Sequence, residues 1–89
     1  MNTQASASIT VTSKDGLDPE LSALLTMKAT QFTSAIKLSH DNRTANAKAV
    51  IEVMSLGVHS GGIVQIRTSG EDAQTALDTL IAVIQHYRV

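Results

Sequence analysis

The sequence predicts an α+β fold: an open-faced two-layer sandwich, with a four-stranded antiparallel sheet and three helices on one face, in the order βαββαβα. Three observations lead there. Two long segments, around Leu21–Phe32 and Ala73–Tyr87, repeat their apolar residues at helical spacing and so present one apolar face each. Shorter segments alternate apolar and polar residues with the period of a half-buried strand. The residues that would point away from the helices, Thr10, Thr12, Lys37, Gln65 and Arg67, are polar. One wet face favours antiparallel pairing, with both long helices on the other side.

The elements follow in order. Ile9 and Val11 alternate with polar neighbours between Ser8 and Thr12, giving the first strand, and Lys14-Asp15-Gly16 breaks it with a turn. Asp18 can cap the next helix, and Pro19 suits its first position, where a missing N–H loses no partner. Glu20 adds a favourable first-turn charge, and Leu21, Leu24, Leu25, Ala29 and Phe32 form the apolar face. Ile36 and Leu38 mark the second strand. His40-Asp41-Asn42-Arg43 is a hairpin turn into a short third strand, Thr44-Ala45-Asn46. Ala47 to Ser55 reads as a short helix, ended by Gly57 as a left-handed cap. After the Ser60-Gly61-Gly62 turn, Ile63 to Thr68 is the most hydrophobic strand. Ser69 and Asp72 stand at capping-box spacing before the last helix, whose end carries His86 and Arg88 in favourable alignment with its dipole.

Composition narrows the function. The 89 residues fit a single domain over 1–89, with residues 1–7, small and polar, expected to fray. Without cysteine there is neither a disulfide nor a thiolate metal site, and no other metal or cofactor set is expected. The only aromatic residues are Phe32 and Tyr87, so the core must be aliphatic. Seven basic and eight acidic residues give a net charge of −1, with no basic stripe for nucleic acid. No apolar run reaches the ~18 residues of a membrane span, and Met1 to Ser8 has no leader pattern. A cytoplasmic protein without membrane insertion is the expectation.

The segment Asp15-Gly16-Leu17-Asp18-Pro19-Glu20 resembles the active turn of the HPr family, the phosphocarriers of the bacterial sugar phosphotransferase system, where it reads Gly-Leu-His-x-Arg-Pro. Ala45-Asn46-Ala47-Lys48-Ala49-Val50 resembles the family's Ala-Ser-Ala-Lys-Ser-Leu run. Ser55-Leu56-Gly57-Val58 with Gly61 resembles its Leu-Gly-Leu and Gly-turn before the last strand, and Gly70-Glu71-Asp72 with Ala76 and Leu80 resembles the start of its closing helix. The match runs without a gap from about Ser8 to Tyr87. The resemblance implies an HPr-like fold in which Asp18 stands at the phospho-acceptor His, Glu20 at the phosphate-binding Arg, and Ala49 at the regulatory Ser.

These replacements remove chemistry while leaving the scaffold. A helix start favours anions, but Pro19 deletes one N–H, the Asp18 carboxylate can take others, and Glu20 adds a second negative charge. Two carboxylates within several Å of a phosphate oppose it by about 1 kcal/mol each at surface dielectric. Asp18 as an acyl-phosphate acceptor lacks a metal and has only Lys14 nearby, so the capping role is preferred. His40, His59 and His86 lack ligand spacing or a neighbouring nucleophile and read as solvated surface residues. Ser22 and Ser55 have no evident base, and no catalytic residue is assigned.

By resemblance, partners dock on the face made by the active turn, the first helix and the short helix. The candidates there are Leu17, Asp18, Glu20, Leu21, Val50, Met54 and Val58, with Ile51 beside them, and Leu21 and Met54 are expected to be the most exposed. The implied partner is a protein: Enzyme I, a sugar-specific phosphotransferase component, or a regulated enzyme or transcription factor. Three readings remain open: a non-phosphorylatable regulatory module, a working phosphocarrier that uses Asp18 or a displaced His, and a binding domain in an unrelated assembly. A monomer or weak homodimer fits each of them.

Overall fold

In a computed structural model the described residues are 3–87; Met1, Asn2, Arg88 and Val89, and with them the expected role of Arg88, lie outside the description. The order is β1 (Thr3–Thr10), α1 (Pro19–Ala29), β2 (Ala35–His40), β3 (Arg43–Asn46), α2 (Val50–Ser55), β4 (Ile63–Gly70) and α3 (Ala73–His86). The strands form one sheet in the order β1-β4-β2-β3, with every pair antiparallel. The predicted βαββαβα architecture is therefore present.

Alternation along the strands sets the two faces. Ile36, Leu38, Ala45, Val64 and Ile66 point to the helices and are buried. They meet Leu21, Leu25 and Ala29 of α1, Val53 of α2, and Ala76, Leu77, Leu80 and Ile84 of α3 in one aliphatic core. Helix α3 packs on β1, β4 and α1, while α2 packs on α1 and β3. The inner face of α1 also takes in Ser22, fully buried, whose Oγ donates to the Leu17 carbonyl at 3.4 Å. Burial of this hydroxyl is acceptable because its bond stays inside the structure.

Several expected boundaries move. Residues 3–7 are not frayed: they extend β1, whose full length pairs with β4 from Thr3↔Gly70 to Thr10↔Ile63. The weak signal has a physical reason, since Ala5 and Ala7 are small enough to lie under α3 with only partial burial. Val11 follows the strand yet stays tied to the β4 approach, its N–H donating to Gly62 O at 2.8 Å and its carbonyl accepting from Gly61 N at 2.7 Å. Helix α2 begins only at Val50. Before it, the Asn46 side chain accepts from Lys48 N at 2.9 Å and holds Ala47–Ala49 in a turn.

The hairpin forms as expected, with Asp41 at φ 48° and Asn42 at φ 66°, the left-handed pair of a two-residue loop. His40 does not stand in solvent. Its Nδ1 lies 2.8 Å from Ile63 O and its Nε2 3.4 Å from Asp41 Oδ2, so the ring bridges the hairpin to β4. The capping box before α3 is absent. Ser69 belongs to β4, and the Asp72 side chain bonds elsewhere.

Candidate functional site

The site is the turn that carries the chain from β1 into α1. Ser13 closes it, its Oγ donating to Gly16 O at 2.7 Å and its carbonyl accepting from Gly16 N at 3.0 Å. Gly16 adopts φ 65°, and a Cβ there would collide with the Val58 carbonyl and lie 2.9 Å from the His59 backbone. The close approach lets Leu17 N donate to Val58 O at 3.0 Å, which fixes the turn against the loop before β4. Leu17 and Val58 are buried by that contact.

At Asp18 the backbone is extended, with φ −74° and ψ 174°, and the side chain caps α1: Oδ1 accepts from Leu21 N at 2.8 Å. The Asp18 carbonyl accepts from Ser22 N at 2.9 Å. Pro19 at the first helical position brings no N–H. Most of the donors that make a helix start an anion site are therefore absent or engaged. Glu20 is exposed beside them and Asp18 is half-buried. Lys14, the nearest cation in sequence, is exposed and makes no ion pair among the described residues.

Tyr87 completes the site from the far end of the chain. It follows α3 with extended backbone (ψ 124°), and its half-buried phenol lies near the Glu20 carboxylate. Its pKa is raised above 10.0, first by desolvation, then by the charges of Asp18, Glu20 and Asp15. Sequence reasoning placed Tyr87 on the apolar stripe of α3 and missed this contact. The chain carries no local signal linking positions so far apart.

The structure separates the predicted contact residues into two groups. Leu17 at 7 %, Leu21 at 0 % and Val58 at 3 % exposure belong to the core. For Leu21 this corrects the expectation of exposure: its place on the inner face of α1 points it at the sheet. Val50 and Met54 are half-buried, and Ile51, at 71 %, is among the most exposed large apolar residues. Helices α1 and α2 are in contact, and Glu20 on the first is exposed. Ala49 is the N-cap of α2 and, having no side-chain acceptor, leaves that helix start uncapped. Lys48 is committed to the scaffold, its Nζ donating to Phe32 O at 2.6 Å. Among the described residues, no group of three or more His, Asp or Glu side chains converges to hold a metal ion. No helix among them is long and apolar enough to cross a membrane.

One antiparallel sheet with this strand and helix order is the open-faced sandwich of HPr-type proteins. The family model described as PTS HPr component phosphorylation site matches residues 5–86. The chain is 39 % identical over 72 residues to the HPr-like protein Crh of Halalkalibacterium halodurans, covering 81 % of this chain and 86 % of that one. It is 40 % identical over 75 residues to the phosphocarrier protein HPr of Cupriavidus necator, covering 84 % of each. The crystal structure of HPr from Bacillus anthracis superposes with a TM-score of 0.89 at 34 % identity, over 93 % of this chain and 99 % of that one. The chain belongs to the HPr family of the phosphotransferase system.

Proposed function

We propose that this HPr-family protein is a non-phosphorylatable regulatory or interaction module of the phosphotransferase system rather than a carrier of phosphate. One observation carries the reading: the Asp18 carboxylate, at the position where the resemblance expects the acceptor His, is bound to Leu21 N at 2.8 Å as the cap of α1. The helix start is occupied by the protein's own anion. Glu20 and Asp15, both exposed, add negative charge around it. An incoming phosphoryl group meets carboxylates where a carrier needs donors and a cation.

The partner is a protein that docks on the surface of α1 and α2, with Ile51, Met54 and Val50 as apolar contacts and Asp18 and Glu20 as an acidic rim. Ala49 replaces the second modification position of the resemblance, so neither switch residue remains. The protein acts in the cytoplasm, as a monomer or weak homodimer.

Incubation with phosphoenolpyruvate and a general Enzyme I, followed by intact-mass analysis, tests this against an ordinary HPr as control. The expected result is an unmodified chain beside a fully modified control. A stoichiometric phosphate adduct on Asp18 or a histidine would instead establish a working carrier. Asp18→His alone is expected not to restore transfer, because Glu20 and Asp15 still oppose phosphate.

A further inference from the structure

The sheet face opposite the helices carries a feature that the docking surface leaves unused. Its central row runs Ser6, Arg67, Lys37, Asn46 across the four strands, with Arg67 directly opposite Lys37. Directly paired residues on neighbouring strands have Cα atoms only about 4.5–5.5 Å apart, and like charges in that arrangement are destabilising. Both side chains are exposed, and among the described residues neither has an ion-pair partner or a hydrogen bond. None of the eight acidic residues lies in a strand. The face is therefore locally cationic in a chain whose net charge is −1.

Protection against aggregation does not account for the pair. Lysines that blunt sheets belong on edge strands, whereas Lys37 lies in β2 and Arg67 in β4, the two interior strands. A concavity of about 530 Å³ surrounds them, bounded by Gln4, Ser6, Ala35 and Ser69. That volume falls within the range of small-molecule sites, about 300–1,000 Å³. Its wall supplies hydroxyls and an amide next to two cations. The two aromatic residues, Phe32 and Tyr87, lie in no strand, so the face offers no ring on which a nucleobase could stack.

We propose that this concavity binds a small phosphate monoester with a polyhydroxylated body, the phosphate held between Lys37 and Arg67 and the hydroxyls met by Gln4, Ser6 and Ser69. A phosphate dianion cancels the repulsion across the β2–β4 ladder, and Arg and Lys together supply a forked and a point-charge donor. The wall sets the hydroxyls and amide beside the small apolar surface of Ala5 and Ala35, a mixture that suits the polar edges and C–H faces of a sugar-like body.

Amide-shift titrations of the whole chain test it, with a hexose phosphate, the unphosphorylated hexose, inorganic phosphate and a single-stranded oligonucleotide as probes. The hexose phosphate is expected to give saturable shifts at residues 4–6, 35–37 and 67–69, inorganic phosphate weaker ones at the same places, and the free hexose none. Lys37→Gln and Arg67→Gln should each weaken binding about tenfold, the loss of one charged hydrogen bond. Without ligand, these variants should melt no lower than the unaltered protein, because a like-charge pair is removed. Shifts centred on residues 18–22, binding unchanged in the double variant, a linear response without saturation, or binding of the oligonucleotide alone would each overturn the proposal. Equal affinity for inorganic phosphate and hexose phosphate would remove the hydroxylated body from it. The outcome is independent of whether Asp18 carries phosphate, since the site lies on the opposite face.

Discussion

Two aspartates each stand immediately before a long helix, and they do different work. Asp18 turns back on its own helix and caps it through Leu21 N. Asp72 occupies the equivalent place before α3, yet its carboxylate reaches the loop between α1 and β2. There it accepts from Thr33 N at 3.0 Å, Ser34 N at 2.9 Å and Ser34 Oγ at 2.5 Å. The backbone explains the divergence. Asp18 has the extended ψ of 174° that a cap requires, whereas Asp72 has ψ 27°, which turns the side chain away from the helix start. A residue type in front of a helix thus announces a polar link but not its destination. In this molecule the local link closes the site, and the distant one ties the loop before β2 to the start of α3 at one end of the sheet.

Each region also contains a glycine where backbone meets backbone, and substitution there gives the largest expected effect. A Cβ at Gly16 would strike the Val58 carbonyl, and one at Gly70 would lie 2.5 Å from Ser34 Oγ and 2.8 Å from its Cα. Gly57 is the control: φ is 66°, close to the 65° of Gly16, but nothing lies within 4 Å. Gly57→Ala carries only the left-handed backbone cost, about 1–2 kcal/mol. Gly16→Ala adds a clash with backbone and is expected to lose about 3 kcal/mol or more, read as the denaturant midpoint at constant slope. Equal losses would mean that the Asp18 turn does not depend on its approach to Val58, and the turn would then be local throughout.

Asp72→Asn comes next. Two carboxylate oxygens serve three donors, and an amide offers one oxygen and turns its NH₂ toward a donor. The Ser34 hydroxyl foremost, then Thr33 N and less strongly Ser34 N, lower the Asp72 pKa from 3.8 to about 2 against a smaller opposing effect of desolvation. The folded value lies below the unfolded one. Its stabilisation is therefore complete above about pH 4 and disappears as pH falls toward 2. Acid titration of the unfolding midpoint should show this loss in the parent and a flatter profile in Asp72→Asn. Identical profiles would remove the brace from the account.

How far each region was legible follows from the range of its interactions. The cap, Pro19 and Gly57 could be read because each acts within a few residues, as could the strand and helix periods and the resemblance carried by the turn. Residues 3–7 were misread because Ala5 and Ala7 are too small to signal a strand, and only pairing with β4 makes one. The Asp72 brace, the Tyr87–Glu20 contact and the link from His40 to Ile63 all join distant parts of the chain, where spacing carries no information. Leu21 misled for a related reason: its helix was right, but which arc of the helix meets the sheet depends on how α1 packs.

The smallest effect tests the comparison most finely. Asn is as good a helix cap as Asp, because one side-chain oxygen suffices for the single bond to Leu21 N. Asp18→Asn is therefore expected to leave stability within about 0.5 kcal/mol of the parent. Asp18→Ala, which deletes the acceptor, should lose about 1 kcal/mol. The same amide exchange that is damaging at Asp72 is thus nearly silent at Asp18, since the first site needs one acceptor and the second needs a charged pair of them. Side-by-side unfolding of Asp18→Asn and Asp72→Asn decides it. A large loss in the first would show that the Asp18 charge itself holds the turn, through contacts beyond the cap, and the anion seated at the helix start would then be structural in the same sense as Asp72.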